Sequence, residues 1–365
     1  MNRNPNIDLL RGIAIFAVLL LHHALSYGFR GSTIAEILPK VWLHSLVING
    51  GYGVTMFFTI SGFLITSIAL RRYTTLERID VWHFYRMRAA RILPPLLLAL
   101  LVIVLLALAG LDIFRNTSGG DSLPDSSLVV AVFSVLTFWH NVLMQYQGYF
   151  NYALNVYWSL SVEELFYLLF PLACIAFKSR RSIIGIACIL IVIGPVYRWL
   201  HIDNGIDYRY AYLACFDAIS FGVLAAFLQG YITQRAMQPW RILATLGLPV
   251  VYFYGIQNNV VFGFTGIGLC TAIILTHIST TQTQFWRRVT SPLRWMGRLS
   301  YELYLFHIIV LGIMRSLVAP SSVTGDYKLL MLLIMIIASC VVSYIVARWF
   351  ANPLNKWFRR AELAQ

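Results

Sequence analysis

Apolar runs of about 20 residues, each long enough to cross the ~30 Å hydrocarbon core of a bilayer as a helix, recur from one end of this chain to the other. They fall near residues 7–28, 46–70, 92–111, 128–146, 158–177, 182–200, 209–229, 241–256, 260–278, 297–318 and 328–350. The unit of architecture is therefore the membrane span, and the expected fold is an all-α polytopic helix bundle. Composition agrees: 59% of the 365 residues are hydrophobic and 12% are charged, about half the charged fraction of an ordinary soluble protein. The net charge of +13 would suggest nucleic acid in a soluble protein, whereas in a membrane protein it marks cytoplasmic loops. No nucleic-acid partner is expected.

Cys174, Cys188, Cys215, Cys270 and Cys340 all lie in apolar runs without a Cys-x-x-Cys spacing, so neither a disulfide framework nor a metal site is indicated. The first run carries Asp8, Arg11, His22 and His23 and lacks a small-residue cleavage site, so it reads as a retained helix and not a signal peptide. No linker or fixed-period repeat is evident, and the expectation is one membrane-embedded domain over 1–365 with no appended soluble domain.

The side of each loop follows from its cations. The stretch from Arg71 to Arg91 holds six arginines and belongs in the cytoplasm. If the 128–146 run does not cross fully, 21 of the 28 Lys and Arg residues fall inside; a full crossing would invert the rule for every later loop. Ten full crossings are therefore expected, with both termini cytoplasmic and a re-entrant or partly buried segment near 128–157. Trp139, His140, Asn141, Gln145, Gln147, Asn151 and Asn155 suit contact with protein or a watery cavity better than lipid. The 111–127 loop reads as an exposed extracytoplasmic turn region.

Ionisable side chains within spans are costly and point to function. At about 100° per residue, Arg11 and His22 share a face of the first helix within about 20°, about 16 Å apart along its axis. Asp8 lies on the same face but too far from His22 to orient it; Arg11, three residues on, is within its reach. A neutral imidazole at that depth suits a general base acting on a hydroxyl, against the plainer alternative of a packing histidine. Arg88 and Arg91, three apart on a helix, present two guanidinium forks suited to phosphate, or else anchor the topology. Glu163 and Glu164 point to different helix faces and are not a proton-sharing pair, although one of them could orient a histidine. Glycines 50, 51, 53, 62, 263, 266 and 268 read as sites of close helix packing.

Five stretches, in order, carry a resemblance. They are Asp8-Leu-Leu-Arg11-Gly12 followed by His22; Phe57-Phe58-Thr59-Ile60-Ser61-Gly62-Phe63; Arg88-Ala-Ala-Arg91 before Pro94; Trp158-Ser159-Leu-Ser-Val-Glu163-Glu164; and Gly297-Arg298-Leu-Ser300-Tyr301-Glu-Leu-Tyr304-Leu-Phe-His307. Together they resemble the acyltransferase-3 family of integral membrane O-acyltransferases. Met87 stands where that family often has another arginine, and Ala351-Asn352-Pro353 replaces a Glu-x-Pro. The resemblance implies transfer of an acyl group, usually acetyl from acetyl-CoA, to a hydroxyl of a cell-surface polysaccharide, lipid-linked glycan or glycolipid, in a bacterial plasma (inner) membrane. It implies His22 as catalytic base or transient acyl carrier and Arg11, Arg88 and Arg91 as binders of the CoA phosphates. Asp8, Ser61, Trp158, Ser159, Glu163, Tyr301 and His307 would support them. The rival class is a transporter or exporter of a glycan or its precursor, although neither inverted repeats nor paired broken helices are evident.

Overall fold

A computed structural model describes residues 3–73, 75–118, 121–122, 125–280 and 282–360. It is helical throughout apart from a two-residue β ladder, Thr117–Ser118 with Asp121–Ser122. Gly119, Gly120 and Pro124 of the turn-rich loop lie outside the described residues.

Among the described residues, eight helical stretches are long and apolar enough to cross a bilayer: Pro5–Ser26, Lys40–Arg72, Val81–Leu108, Leu154–Phe177, Arg180–Leu200, Asp207–Leu228, Ser300–Leu317 and Tyr327–Phe358. They coincide with eight of the ten runs expected to cross. The other two, 241–256 and 260–278, fall on the helices Gln234–Tyr254 and Phe262–Leu275. Lipid-facing surfaces are evident from side-chain exposure. On the Val81–Leu108 helix, Leu97, Leu101, Leu105 and Leu108 form an exposed stripe at helical spacing, opposite buried Leu96, Ala99, Leu100, Ile103 and Ala107. An apolar stripe of that length has no stabilising partner in water and a ready one in acyl chains.

The region read as re-entrant contains no helix of spanning length. It forms Asp125–Leu136 and His140–Gln147, of 12 and 8 residues, or about 18 and 12 Å. The chain breaks between them at Phe138, which has φ 62°. Several of its polar groups are bonded to protein. Ser134 Oγ lies 2.7 Å from His140 Nδ1, and the His140 amide donates to Ser161 Oγ at 3.0 Å. Asn151 Nδ2 donates to Asn116 Oδ1 (2.6 Å), while Asn151 Oδ1 accepts from the amides of Ala153 and Leu154. Burial lowers the His140 pKa to about 4, so this ring is neutral at physiological pH and packs as a structural residue.

Contacts divide the chain into two compact units. The first comprises Met1–Leu21, Leu38–Ile79 and Leu169–Arg298. Its helices cross closely at glycine. A Cβ on Gly62 would lie 2.1 Å from the Ile219 carbonyl oxygen, and one on Gly222 2.0 Å from that of Thr59. These reciprocal contacts let the Tyr52–Arg72 and Tyr212–Leu228 backbones touch. Gly12 and Gly297 do the same for the first helix and Ser291–Arg298, facing the carbonyls of Leu293 and Asp8. Both glycines belong to the motif stretches, and their shared role is this crossing. The second unit comprises His22–Ile37, Asp80–Leu168 and Leu299–Gln365.

Candidate active site

The second unit brings together residues far apart in sequence. His22, in the last turns of the first helix, meets His307 of the Ser300–Leu317 helix: the rings are edge to face with centroids 4.8 Å apart, and His307 Nε2 lies 3.3 Å from His22 Nδ1. His307 is fully buried, while His22 is half-buried.

The hydrogen-bond pattern assigns the protons. His307 Nδ1 lies 2.9 Å from the carbonyl oxygens of both Leu303 and Tyr304. A carbonyl only accepts, so Nδ1 carries the hydrogen, and in a neutral ring Nε2 is then an acceptor. His22 Nδ1 therefore donates to it. In the neutral form of His22 the lone pair is then on Nε2, the nitrogen that does not meet His307. The pair presents one basic nitrogen with its tautomer set by the partner, the arrangement a general base requires.

A second layer holds the Ser300–Leu317 helix in place. Ser159 Oγ donates to the Tyr304 hydroxyl (2.7 Å), which donates to the Val156 carbonyl (2.7 Å); the Tyr157 hydroxyl donates to the Leu305 carbonyl (2.8 Å). The Tyr301 hydroxyl donates to the Ile92 carbonyl at 3.0 Å. Ser159 and Tyr301 thus fix the register of the helix that carries His307. Trp158 opens the neighbouring helix Trp158–Phe177. His23, next to His22, is fully buried and packs between the rings of Tyr27 and Phe29, at centroid distances of 5.6 and 5.3 Å.

A separate cluster in the same unit surrounds Arg88. Its guanidinium lies 5.1 Å from the Tyr167 ring centroid and 5.8 Å from that of Phe84. The Tyr167 hydroxyl donates to Glu163 Oε2 at 3.1 Å, and both Glu163 and Glu164 lie in electrostatic range of Arg88. The glutamates therefore lie beside an arginine. Arg91, by contrast, is exposed. The two arginines are not equivalent forks: aromatic rings and carboxylates already occupy the surroundings of Arg88, whereas the head of Arg91 is open to an anion.

The first unit holds the remaining motif residues. Asp8 is buried and pairs with Arg3 at 2.7 Å, a partner that helical spacing did not suggest. Arg11 Nε donates to the Gly297 carbonyl at 3.3 Å, with the guanidinium 5.7 Å from the Phe57 ring centroid. Ser61 is half-buried beside Gly62 on the Tyr52–Arg72 helix.

The order of these motifs along the chain is that of a known family. An acyltransferase domain profile matches residues 4–350. The chain belongs to the acyltransferase-3 family. Among curated family relatives it is 26% identical over 378 residues to the O-acetyltransferase OatA of Staphylococcus aureus, covering 96% of this chain and 57% of the relative. It is 26% identical over 380 residues to a putative O-acetyltransferase, SAS0844, of S. aureus strain MSSA476, covering 98% and 58%. The chain thus spans a little over half the length of these curated relatives. No solved structure matches it. Placed in the acyltransferase-3 family, the chain shows where three motif stretches meet: His22 from the first, Ser159 from the fourth, and Tyr304 with His307 from the last all belong to one unit.

Tyr304, Tyr157 and Tyr167 carry contacts to which no role was assigned from sequence. Their signal is the concentration of tyrosine within the two motif stretches, Tyr157 to Tyr167 and Tyr301 to Tyr304.

Proposed function

We propose that this chain is a membrane O-acyltransferase that moves an acetyl group from acetyl-CoA to a hydroxyl of a cell-surface polysaccharide, lipid-linked glycan or glycolipid. The observation that carries the reading is the contact of half-buried His22, through Nδ1, with His307 Nε2, whose own Nδ1 is committed to two carbonyls. Family membership and relatives named as O-acetyltransferases supply the reaction class.

In this reading His22 Nε2 takes the proton of the acceptor hydroxyl as its oxygen attacks the thioester carbonyl. The new C–O bond forms and the C–S bond breaks. The imidazolium then returns its proton to the departing CoA thiolate, while His307 Nε2 keeps the His22 Nδ1 hydrogen bonded throughout. His307 supplies an orienting contact through its Nε2.

The donor phosphates need cations free to meet them. Arg91 fits best, because it is exposed and sits near a second positive charge on Arg88. Arg11 enters through its place on the His22 helix, about 16 Å along the axis by helical rise, a distance comparable to the reach of a pantetheine arm. Arg91→Ala is expected to weaken acetyl-CoA binding by about tenfold or more, the worth of a charge-assisted contact, with thermal stability unchanged. Equilibrium binding to the purified protein checks this, and unchanged affinity would return Arg91 to a topology anchor.

The same reading places the chain in a plasma membrane with ten crossings and both termini in the cytoplasm, which puts 21 of 28 cations inside. A cysteine introduced at Gln147 should react with an impermeant maleimide from the outer face; labelling only from the cytoplasmic side overturns this topology. The activity itself is tested by incubating the purified protein with labelled acetyl-CoA and candidate lipid-linked glycans. Label should appear on the glycan, and failure to consume acetyl-CoA with any acceptor counts against the enzyme.

A further inference from the structure

Four residues after His22, about 6 Å along the same helix and about 40° around it, Ser26 Oγ lies 2.7 Å from the Tyr152 hydroxyl. The Arg315 guanidinium sits over the face of that tyrosine, 4.8 Å from the ring centroid. Tyr27 closes the cluster by donating to the Val318 carbonyl at 3.0 Å, one turn beyond Arg315. All four residues belong to the unit that contains His22 and His307.

Arg315 is half-buried, and among the described residues no carboxylate lies within ion-pair distance of it. Its Nε is buried without a hydrogen-bond partner. A guanidinium nitrogen withdrawn from water with its hydrogen unused carries a penalty that a bound anion would remove. The contrast with Arg198 is informative, since that buried arginine has an aspartate partner. Burial also raises the Tyr152 pKa, against the opposing influence of Ser26 and Arg315, so the phenol remains a neutral hydroxyl. Under the proposed topology this end of the bundle faces outward, where the positive-inside rule gives a cation no anchoring role.

We propose that Arg315, with Tyr152 and Ser26, forms an acceptor subsite that binds an anionic substituent, a carboxylate or phosphate, of the glycan whose hydroxyl is presented to His22. The inference rests on the transferase reading and narrows its acceptor to an acidic glycan. The guanidinium fork takes the anion bidentately, and the one-turn offset between Ser26 and His22 sets the spacing between the anion and the reacting hydroxyl.

The test is binding to the purified full chain in neutral detergent, with methyl glucuronide, glucose 6-phosphate and neutral methyl glucoside as probes. Acetyl-CoA and phosphatidylglycerol are measured in parallel. The two anionic sugars should bind the wild type about tenfold or more tighter than methyl glucoside. Arg315→Gln should lose that preference, Arg315→Lys should keep part of it, and both should bind acetyl-CoA as the wild type does. A wild type with no preference for the anionic sugars overturns the proposal, as does an Arg315→Gln variant that retains it. So does a variant that loses phosphatidylglycerol alone, since Arg315 would then serve a lipid headgroup. A wild type that binds anionic sugars but never acetyl-CoA overturns the transferase reading and leaves the anion site standing. If the Gln variant does not fold, the Lys variant decides: a folded Lys protein whose preference for the anionic sugars is reduced or lost, with acetyl-CoA binding unchanged, supports the subsite, and one whose preference equals that of the wild type overturns it.

Discussion

Replacing His22 with alanine should lower acetyl transfer by about a hundred- to ten-thousandfold, the usual worth of a positioned general base, while acetyl-CoA binds with unchanged affinity. The loss belongs to the chemical step because His22 Nε2 is the atom assigned to the acceptor proton, and nothing in the His22–His307 contact depends on the donor. His307→Phe separates the two partners. Phenylalanine can fill the buried volume but offers no Nε2, so His22 loses the acceptor that sets its tautomer. The expected result is a fall in kcat smaller than that of His22→Ala, again without a change in acetyl-CoA affinity. Single-turnover acetyl transfer together with equilibrium acetyl-CoA binding checks both variants. Wild-type rates from His22→Ala would remove the base from the mechanism. A His307→Phe variant with full kcat would leave His22 as the base but show that its tautomer needs no partner.

The features legible in sequence are those written in local periodicity. Apolar run lengths mark the long helices, and the 128–146 run, for which the cation distribution argues against a full crossing, breaks at Phe138 into two short helices. The glycines at 50, 53, 62 and 263 were read as packing positions, and a Cβ at any of them would collide with a neighbouring chain segment. His22 stood out because an ionisable side chain shared a helix face with Arg11. Its partner could not be read the same way, since His307 is 285 residues away and no spacing rule links separate helices. Asp8 has a partner that spacing within the helix does not reveal, because the chain just before the helix delivers Arg3. The Arg88–Arg91 spacing suggested equal forks, and the difference between them comes from Tyr167 and the glutamates on another helix. Periodicity places residues on a face; what that face meets is decided by tertiary packing.

The largest stability effect is expected at Arg198 and Asp217, a fully buried ion pair in the first unit. Asp217 is a carboxylate within an apolar run of the sequence. Arg198 Nη2 meets Asp217 Oδ2 at 2.6 Å and Nη1 meets Oδ1 at 3.2 Å. Its other donors go to the Val261 carbonyl, the Ala214 carbonyl and Thr265 Oγ1, and Thr265 in turn donates to Asp217 Oδ2. All five guanidinium hydrogens are thereby used, and the helices Arg180–Leu200, Tyr212–Leu228 and Phe262–Leu275 are tied at one point. Gly194 makes the approach possible, because a Cβ there would lie 2.6 Å from that of Asp217. Removing one partner strands the other charge in a dry interior at a cost of about 3–5 kcal/mol. The two single variants should differ. A carboxyl left alone can shed its charge by taking a proton, but a guanidinium cannot, so Asp217→Leu should be less stable than Arg198→Met. The double variant removes both charges and should recover most of the loss, since an apolar pair of similar volume is often neutral in such a position. Thermal unfolding of the four proteins in one detergent gives the cycle. A double variant as unstable as the sum of the singles would mean that the two side chains act independently and that the three-helix tie does not exist.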